Sequence, residues 1–229
     1  MLEQLRKHMN WILWATLALI IVTFLFFGVY PSNTTGRTVA RVNEDIISYE
    51  EWNRSYQNLT ETYRQIFKDQ FNEGFAKILR NQALQELIQN RLLSQEAERA
   101  GITISDDELR DSIRAIPAFN PGGKFDSKTY EYYLNRINMT PAVFEATQRE
   151  YLRRQRLVRI VEDSVAVTDD DVAAALSADP KKKQPGTPKE KDALRQQLLT
   201  RKRQDALSAF VAGLRQQAKV KIDERYATL

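Results

Sequence analysis

The chain has 229 residues, 42 % hydrophobic and 28 % charged, with 34 Lys and Arg against 30 Asp and Glu for a formal net charge of +4. It has no Cys and one His, His8, which excludes disulfide staples, thiolate metal sites, cysteine nucleophiles, Ser-His-Asp triads and multi-histidine metal centres. Eight Gly and seven Pro are too few for a loop-rich all-β design, whereas the abundance of Gln, Glu, Arg, Leu and Ala favours long helices.

Residues 11–30 read WILWATLALIIVTFLFFGVY, without a charge. At roughly 1.5 Å per residue such a helix spans about 30 Å, the thickness of a bilayer's hydrocarbon core. Trp11, Trp14 and Tyr30 stand where interfacial aromatic belts sit. A cleaved signal peptide needs small residues at its cleavage site, and Phe26, Phe27, Val29 and Tyr30 crowd that place. The expectation is an uncleaved anchor. Arg6 and Lys7 precede it and Arg37 and Arg41 follow, so the charge bias is weak. The short leading tail suits an inside N-terminus and an exported C-terminal part.

After the polar stretch PSNTTG, residues 38–48 (TVARVNEDIIS) carry β-branched residues around an Asn-Glu-Asp break, a hairpin signal. Val220, Lys221 and Ile222 alternate as a strand does; a lone strand is unstable, so pairing with the N-terminal one is expected. Between these ends the punctuation is helical. Ser48 with Glu51 opens a helix towards Gln70. A second follows Gly74, with Phe75, Leu79, Ala83, Leu87, Ile88 and Leu92 at helical spacing, and stops near Gly101. Ser105 with Glu108 caps a third, which ends before Pro117. The loop at 116–126 carries Phe119 and Phe125. Helices are predicted over 127–136 and from Thr140-Pro141 to Asp163, the latter with Val143, Phe144, Thr147, Tyr151 and Val158 on one face. Thr168 with Asp171 opens a short helix to Leu176. The charged, Pro-containing stretch that begins at Ser177 is a linker, and Thr187-Pro188 with Glu190 restarts a helix. Leu194, Leu198, Leu207, Phe210, Val211, Leu214 and Ala218 point inward from it, while 200–205 is polar all round and expected to be solvated.

The segments VARVNEDIISYEEW, ALQELIQNRLLSQEAERAGITISDDELR, IPAFNPGGKFDSKTYEYYL and the TPAVFE helix start, in this order behind an apolar anchor, resemble the N-terminal chaperone module of the SurA/PpiD group of bacterial periplasmic folding factors. The anchor makes the PpiD-like members the nearer pattern. The resemblance implies a mainly α fold in which an N-terminal transmembrane helix precedes a helical chaperone module with a small β pairing between N- and C-terminal segments. In that group VTDDDVAAAL leads into a parvulin-type prolyl isomerase domain, whereas here a linker holds the place before KDALRQQLLTRKRQDALSAFVAGLRQQAKVKI. The expected organisation is a cytoplasmic tail (1–10), a transmembrane helix (11–30), a linker (31–37), a helical chaperone domain (38–177), a linker in place of the isomerase (178–188), and a C-terminal helix and short strand completing the domain (189–229).

The expected function is that of an inner-membrane-anchored periplasmic chaperone for unfolded or newly translocated polypeptides, without isomerase activity, cofactor or metal. The alternative is a non-catalytic scaffold or accessory subunit of the translocation or envelope-assembly machinery. Partners would be nascent exported polypeptides and the bilayer, with the secretion translocon as a further candidate and no nucleic acid. Client contacts are sought among Phe67, Phe71, Phe119, Phe125, Tyr130, Tyr132, Tyr133 and Phe144, because rings give large contact area for little side-chain entropy. For any one of them a place in the core is the more ordinary reading; Tyr132 and Tyr133, being adjacent on a helix, cannot both face one interior. The arginines at 153, 154, 156 and 159 and the basic run 201–203 alternate with acids and read as solvated helix faces. Asp106-Asp107 and Asp169-Asp170-Asp171 read as first-turn complements to helix dipoles.

Overall fold

The computed structural model describes residues 37–68, 72–178 and 187–227. The anchor residues Trp11, Trp14 and Tyr30 and the ring of Phe71 lie outside them. Among the described residues no helix is long and apolar enough to cross a membrane.

The sequence TVARV-NE-DIIS folds as the predicted hairpin: β1 (Thr38–Val42) pairs antiparallel with β2 (Asp45–Ser48). Asn43 takes the left-handed conformation of the turn, at φ 55°, which Asn tolerates better than most side chains. The register shifts between Thr38 and Ala40, and both Val39 and Ala40 are buried beyond it. β3 (Val220–Ile222) closes the other edge of β1, giving a three-stranded sheet of order β2-β1-β3. The expected pairing of the two chain ends is thus present, with Ala40 opposite Ile222 and Val42 opposite Val220.

Helix α1 (Tyr49–Phe67) starts where the Ser48 hydroxyl accepts from the Glu51 amide at 3.1 Å. It ends at Phe67, short of the predicted Gln70, with Lys68 turned to φ 41°. Helix α2 (Glu73–Arg99) starts from Asn72, whose side chain accepts from the Phe75 amide at 3.0 Å. It stops where Gly101 turns to φ +69°, as expected, and the amides of Gly101 and Ile102 return to carbonyls of the last turn. Arg91 pairs with Glu51 near one end of this antiparallel hairpin, and Phe67 meets Phe75 at the other. Trp52 binds the Arg80 carbonyl through its indole N–H at 3.1 Å. Val39, Val42, Ile47, Trp52, Ala83, Leu84, Ile88 and Leu92 form the main core between hairpin and sheet.

Helix α3 (Asp106–Arg114) has the predicted capping box, Ser105 and Glu108 bonding each other's amides. A 3-10 turn over Pro117–Phe119, helix α4 (Ser127–Arg136) and helix α5 (Pro141–Asp163) follow. Around them lies a second core of Ile104, Leu109, Ile113, Phe119, Tyr130 and Leu134, with Phe144 and Leu152 packed against it. The far part of α5 serves a third cluster, Leu157 with Leu93 and Ala97 of α2. One helix meeting two cores corrects part of its predicted face: Phe144 and Val158 pack inward as expected, but Val143, Thr147 and Tyr151 are exposed, and Leu152 and Leu157 take the inward positions instead.

Helix α6 (Asp169–Ala178) and helix α7 (Pro188–Gln217) come next, the latter opened by the predicted Thr187/Glu190 box. α7 buries no residue fully; Phe210, Val211 and Leu214 touch the third cluster. Its middle is not a free polar face. Lys202 binds the Asp171 carboxylate at 2.6 Å and Arg203 binds Asp163 at 3.0 Å, tying α7 to α6 and the end of α5. A short helix α8 (Glu224–Ala227) places Tyr226 against Trp52, ring centroids 5.3 Å apart.

Candidate functional site

The chemistry-bearing inventory is apolar surface, and it is concentrated in two places. The first is the end of the α1–α2 hairpin away from the sheet. There Tyr63 stacks on Phe67 at 5.8 Å, and Phe75 lies 5.1 Å from Phe67. Tyr63, Phe67 and Phe75 are each half-buried, and the one buried residue of α1 is Trp52 near its start. Ile66 is 66 % exposed and Ile78 62 % exposed on the same arm. Sequence periodicity passed over both isoleucines; their signal was a branched aliphatic residue off the core-facing stripe of an otherwise polar helix.

The second place is the lobe of α3, α4 and α5. Phe119 and Tyr130, expected among the client contacts, are core: both are buried, with rings edge-to-face at 5.1 Å. Phe144 is half-buried and edge-on to both at 5.8 Å. These three rings form the centre of the lobe. Phe125 leans on Tyr130 at 5.8 Å yet stays 36 % exposed, and Tyr133 sits 6.0 Å from Phe119 with a similar exposure. Tyr132 is 62 % exposed, so of the adjacent pair it is the one turned out. Ile137 and Val143, close to these rings in the chain, are exposed as well. Of the eight predicted contacts, Phe125, Tyr132 and Tyr133 are exposed, Phe67 and Phe144 are half-buried, Phe119 and Tyr130 are buried, and Phe71 lies outside the described residues.

Polar clamps hold α3 against α5 within this lobe, and one ties α5 to α2. Arg149 reaches the Ile104 carbonyl at 2.6 Å and Asp106 at 2.7 Å; Arg156 reaches the Thr103 carbonyl at 2.6 Å and the Glu108 carboxylate. The Ser105 amide, and then Arg156, hold the Glu108 carboxyl below its usual pKa. Ser94 donates to Glu150, which also pairs with Arg154. Of the α5 arginines expected on a solvated face, Arg154 and Arg156 are instead spent on internal partners. Asp106, Asp107, Asp169, Asp170 and Asp171 all stand in first helical turns, as expected. Between α3 and α5 lies a cavity of about 440 Å³, walled by Leu109, Ile113, Phe125 and Tyr130 and rimmed by charges. Burial, with Glu145 adding to it, raises the Tyr130 phenol above its ordinary pKa.

Comparison with known proteins gives a consistent result. Residues 1–158 match the family model described as the SurA-like N-terminal domain. The chain is 33 % identical over 188 residues to the periplasmic chaperone PpiD of Escherichia coli K12, covering 78 % of this chain and 30 % of that protein. It is 28 % identical over 142 residues to the chaperone SurA of Bordetella avium, covering 60 % and 26 %. The chain thus spans about 30 % of the length of the first curated relative it matches. A structure described with the SurA-like chaperones PEB4 and Cj1289 of Campylobacter jejuni superposes with TM-score 0.54 at 12 % identity, covering 82 % of this chain and 100 % of that one. At that identity the match concerns the fold.

Proposed function

Because the chain belongs to the family of SurA-like N-terminal domains, we propose that it is a periplasmic chaperone, anchored in the inner membrane by residues 11–30, that holds unfolded or newly translocated polypeptides. The observation that carries this reading is the pairing of two polar-sided arms with apolar ends: Ile66, Phe67 and Ile78 on the hairpin, and Phe125, Tyr132, Tyr133, Ile137 and Val143 on the α4–α5 lobe. Each patch is small, which favours transient contact with many chains over stable self-association. Rings already ordered against their neighbours lose little entropy on contact. Tethering raises the local concentration of these weak sites beside emerging clients. The function needs no covalent chemistry, and with no Cys and only His8 the chain lacks the usual nucleophile and base pairs. The proposed boundaries follow the sequence: tail 1–10, anchor 11–30, linker 31–37, chaperone domain 38–177 and 189–229, with 178–188 replacing the isomerase of the related folding factors.

The test is aggregation suppression by the full chain in lipid nanodiscs, with two unrelated chemically unfolded clients. Suppression of both at near-stoichiometric amounts is expected, and Ile66→Ser with Ile78→Ser should weaken it severalfold without moving the melting temperature. Copurification with one partner in fixed ratio, and no suppression of either client, would replace this reading with a dedicated scaffold.

A further inference from the structure

The cavity between α3 and α5 has features that a simple packing gap lacks. Its volume, about 440 Å³, falls within the range of roughly 300–1,000 Å³ typical of ligand sites. Leu109 and Ile113, both buried, line it, and Phe125, one-third exposed, forms a wall carried by the loop that contains Gly122 and Gly123. Tyr130 lines it too, and its hydroxyl is buried without a hydrogen-bond partner. A phenylalanine would fill the same ring position at no polar cost, whereas a buried donor without an acceptor is a standing penalty that a suitable ligand relieves.

The rim narrows the ligand class. Arg149 is closed by Asp106 at 2.7 Å and Arg110 by Asp107 at 2.6 Å. Arg114 and Glu145, which also line the cavity, have no ion-pair partner among the described residues. An anion that gains at Arg114 meets Glu145 and Asp106; a cation that gains at Glu145 meets three arginines. A neutral group with both poles, such as a peptide backbone, suits two open charges of opposite sign.

We propose that this cavity is a side-chain pocket for an extended polypeptide segment, taking one aromatic or large aliphatic residue against Leu109, Ile113 and Phe125 while a backbone carbonyl of the segment accepts from the Tyr130 hydroxyl. The inference rests on the client-binding reading and narrows it from a surface to a place. Phe125 is the wall that moves: its ring leaves Tyr130 as the incoming side chain takes over the contact.

The experiment uses the full chain in phosphatidylcholine nanodiscs and two fluorescein-labelled dodecapeptides of Ser, Gly and Gln, one with a central Phe and one with a central Ala, read by fluorescence anisotropy. The Phe peptide should bind at least tenfold more tightly than the Ala peptide. Tyr130→Phe, which keeps the ring, should weaken the Phe peptide about fivefold, the scale of one neutral hydrogen bond, with an unchanged or higher melting temperature. Equal binding of the two peptides, or an unchanged affinity in Tyr130→Phe, overturns the pocket. Aggregation suppression measured on the same samples separates the two claims. Suppression without peptide discrimination removes the pocket alone; its absence in the wild type removes the client-binding reading as well.

Discussion

Replacing Leu134 by Ala should melt the α3–α4 lobe while leaving the sheet and hairpin folded. Leu134 is among the largest fully buried side chains and stands in a cluster of its own with Ile104, Leu109, Ile113, Phe119 and Tyr130. Removing three buried carbons forfeits about 2.4 kcal/mol at about 0.8 kcal/mol each. The cavity left among ring neighbours adds about 1–2 kcal/mol, for a total near 4 kcal/mol. None of the buried residues of this cluster belongs to the main core of Val39, Val42, Ile47, Trp52, Leu84 and Ile88. The loss therefore lands on a subglobal unit. Hydrogen exchange read by mass spectrometry should show about a thousandfold faster exchange in peptides covering 106–136. Peptides covering 38–48 and 83–92 should keep their protection. A parallel loss of protection in both regions would show that the two clusters unfold as one, and the separation of lobe from body would fail.

Four further outcomes test local parts of the argument. The Lys202 ammonium, and then the Thr168 amide, depress the Asp171 pKa from 3.8 to about 2. Its contribution is complete above 3.8 and is lost as pH falls through about 2. Circular dichroism melts between pH 4 and 2 should therefore decline more steeply for wild type than for Asp171→Asn, the Asp223–Arg225 pair being common to both. Gly101→Ala places a Cβ in open space but at φ +69°, so strain alone should cost about 1 kcal/mol, or roughly 2–4 °C in melting temperature. Gly213→Ala, inside the last part of α7 with nothing near its Cβ, should gain about 0.5–1 kcal/mol in the same melt. Asn43→Gly keeps the positive φ but removes the side-chain bonds to the Lys219 amide and to Gln95. It should cost about 1–2 kcal/mol and speed amide exchange across Val220–Ile222.

What was legible in the sequence is what is decided locally. Ser105 with Glu108, Thr187 with Glu190, and Gly101 each solve a helix-end problem within one turn, so their residues carry the answer on their face. The pairing of β1 with β3 was legible for another reason: two short strands, each untenable alone, had only each other and β2. The failures lie where one helix answers to two neighbours. A stripe through Val143, Thr147 and Tyr151 satisfies helical spacing, but α5 first covers the lobe and then crosses α2, so its buried face changes partway along. The same holds for the rings. Phe119, Tyr130, Tyr132 and Tyr133 are alike in composition, and only the fold decides that the first two fill a core. Ile66 and Ile78 went unnoticed because they break a pattern rather than make one.

The arrangement of α6 and α7 gives a physical sense to the place where the resemblance puts an isomerase in related folding factors. Among the described residues, α7 is seated by contacts with the elements that precede it. Asp169 and Asp171 in the first turn of α6 hold Arg195 and Lys202, and Asp163 at the end of α5 holds Arg203. The Thr187 box caps α7 from within itself, and beyond it β3 completes the sheet on β1. The two sides of the gap are thus positioned by contacts of their own. Loop-closure entropy grows only with the logarithm of loop length, about 0.6 kcal/mol per doubling. A short stretch and a whole inserted domain therefore differ little in what they cost the same helical frame. The sheet edge, which needs β3 from the far side of that stretch, ties the chaperone unit together whichever of the two the chain carries.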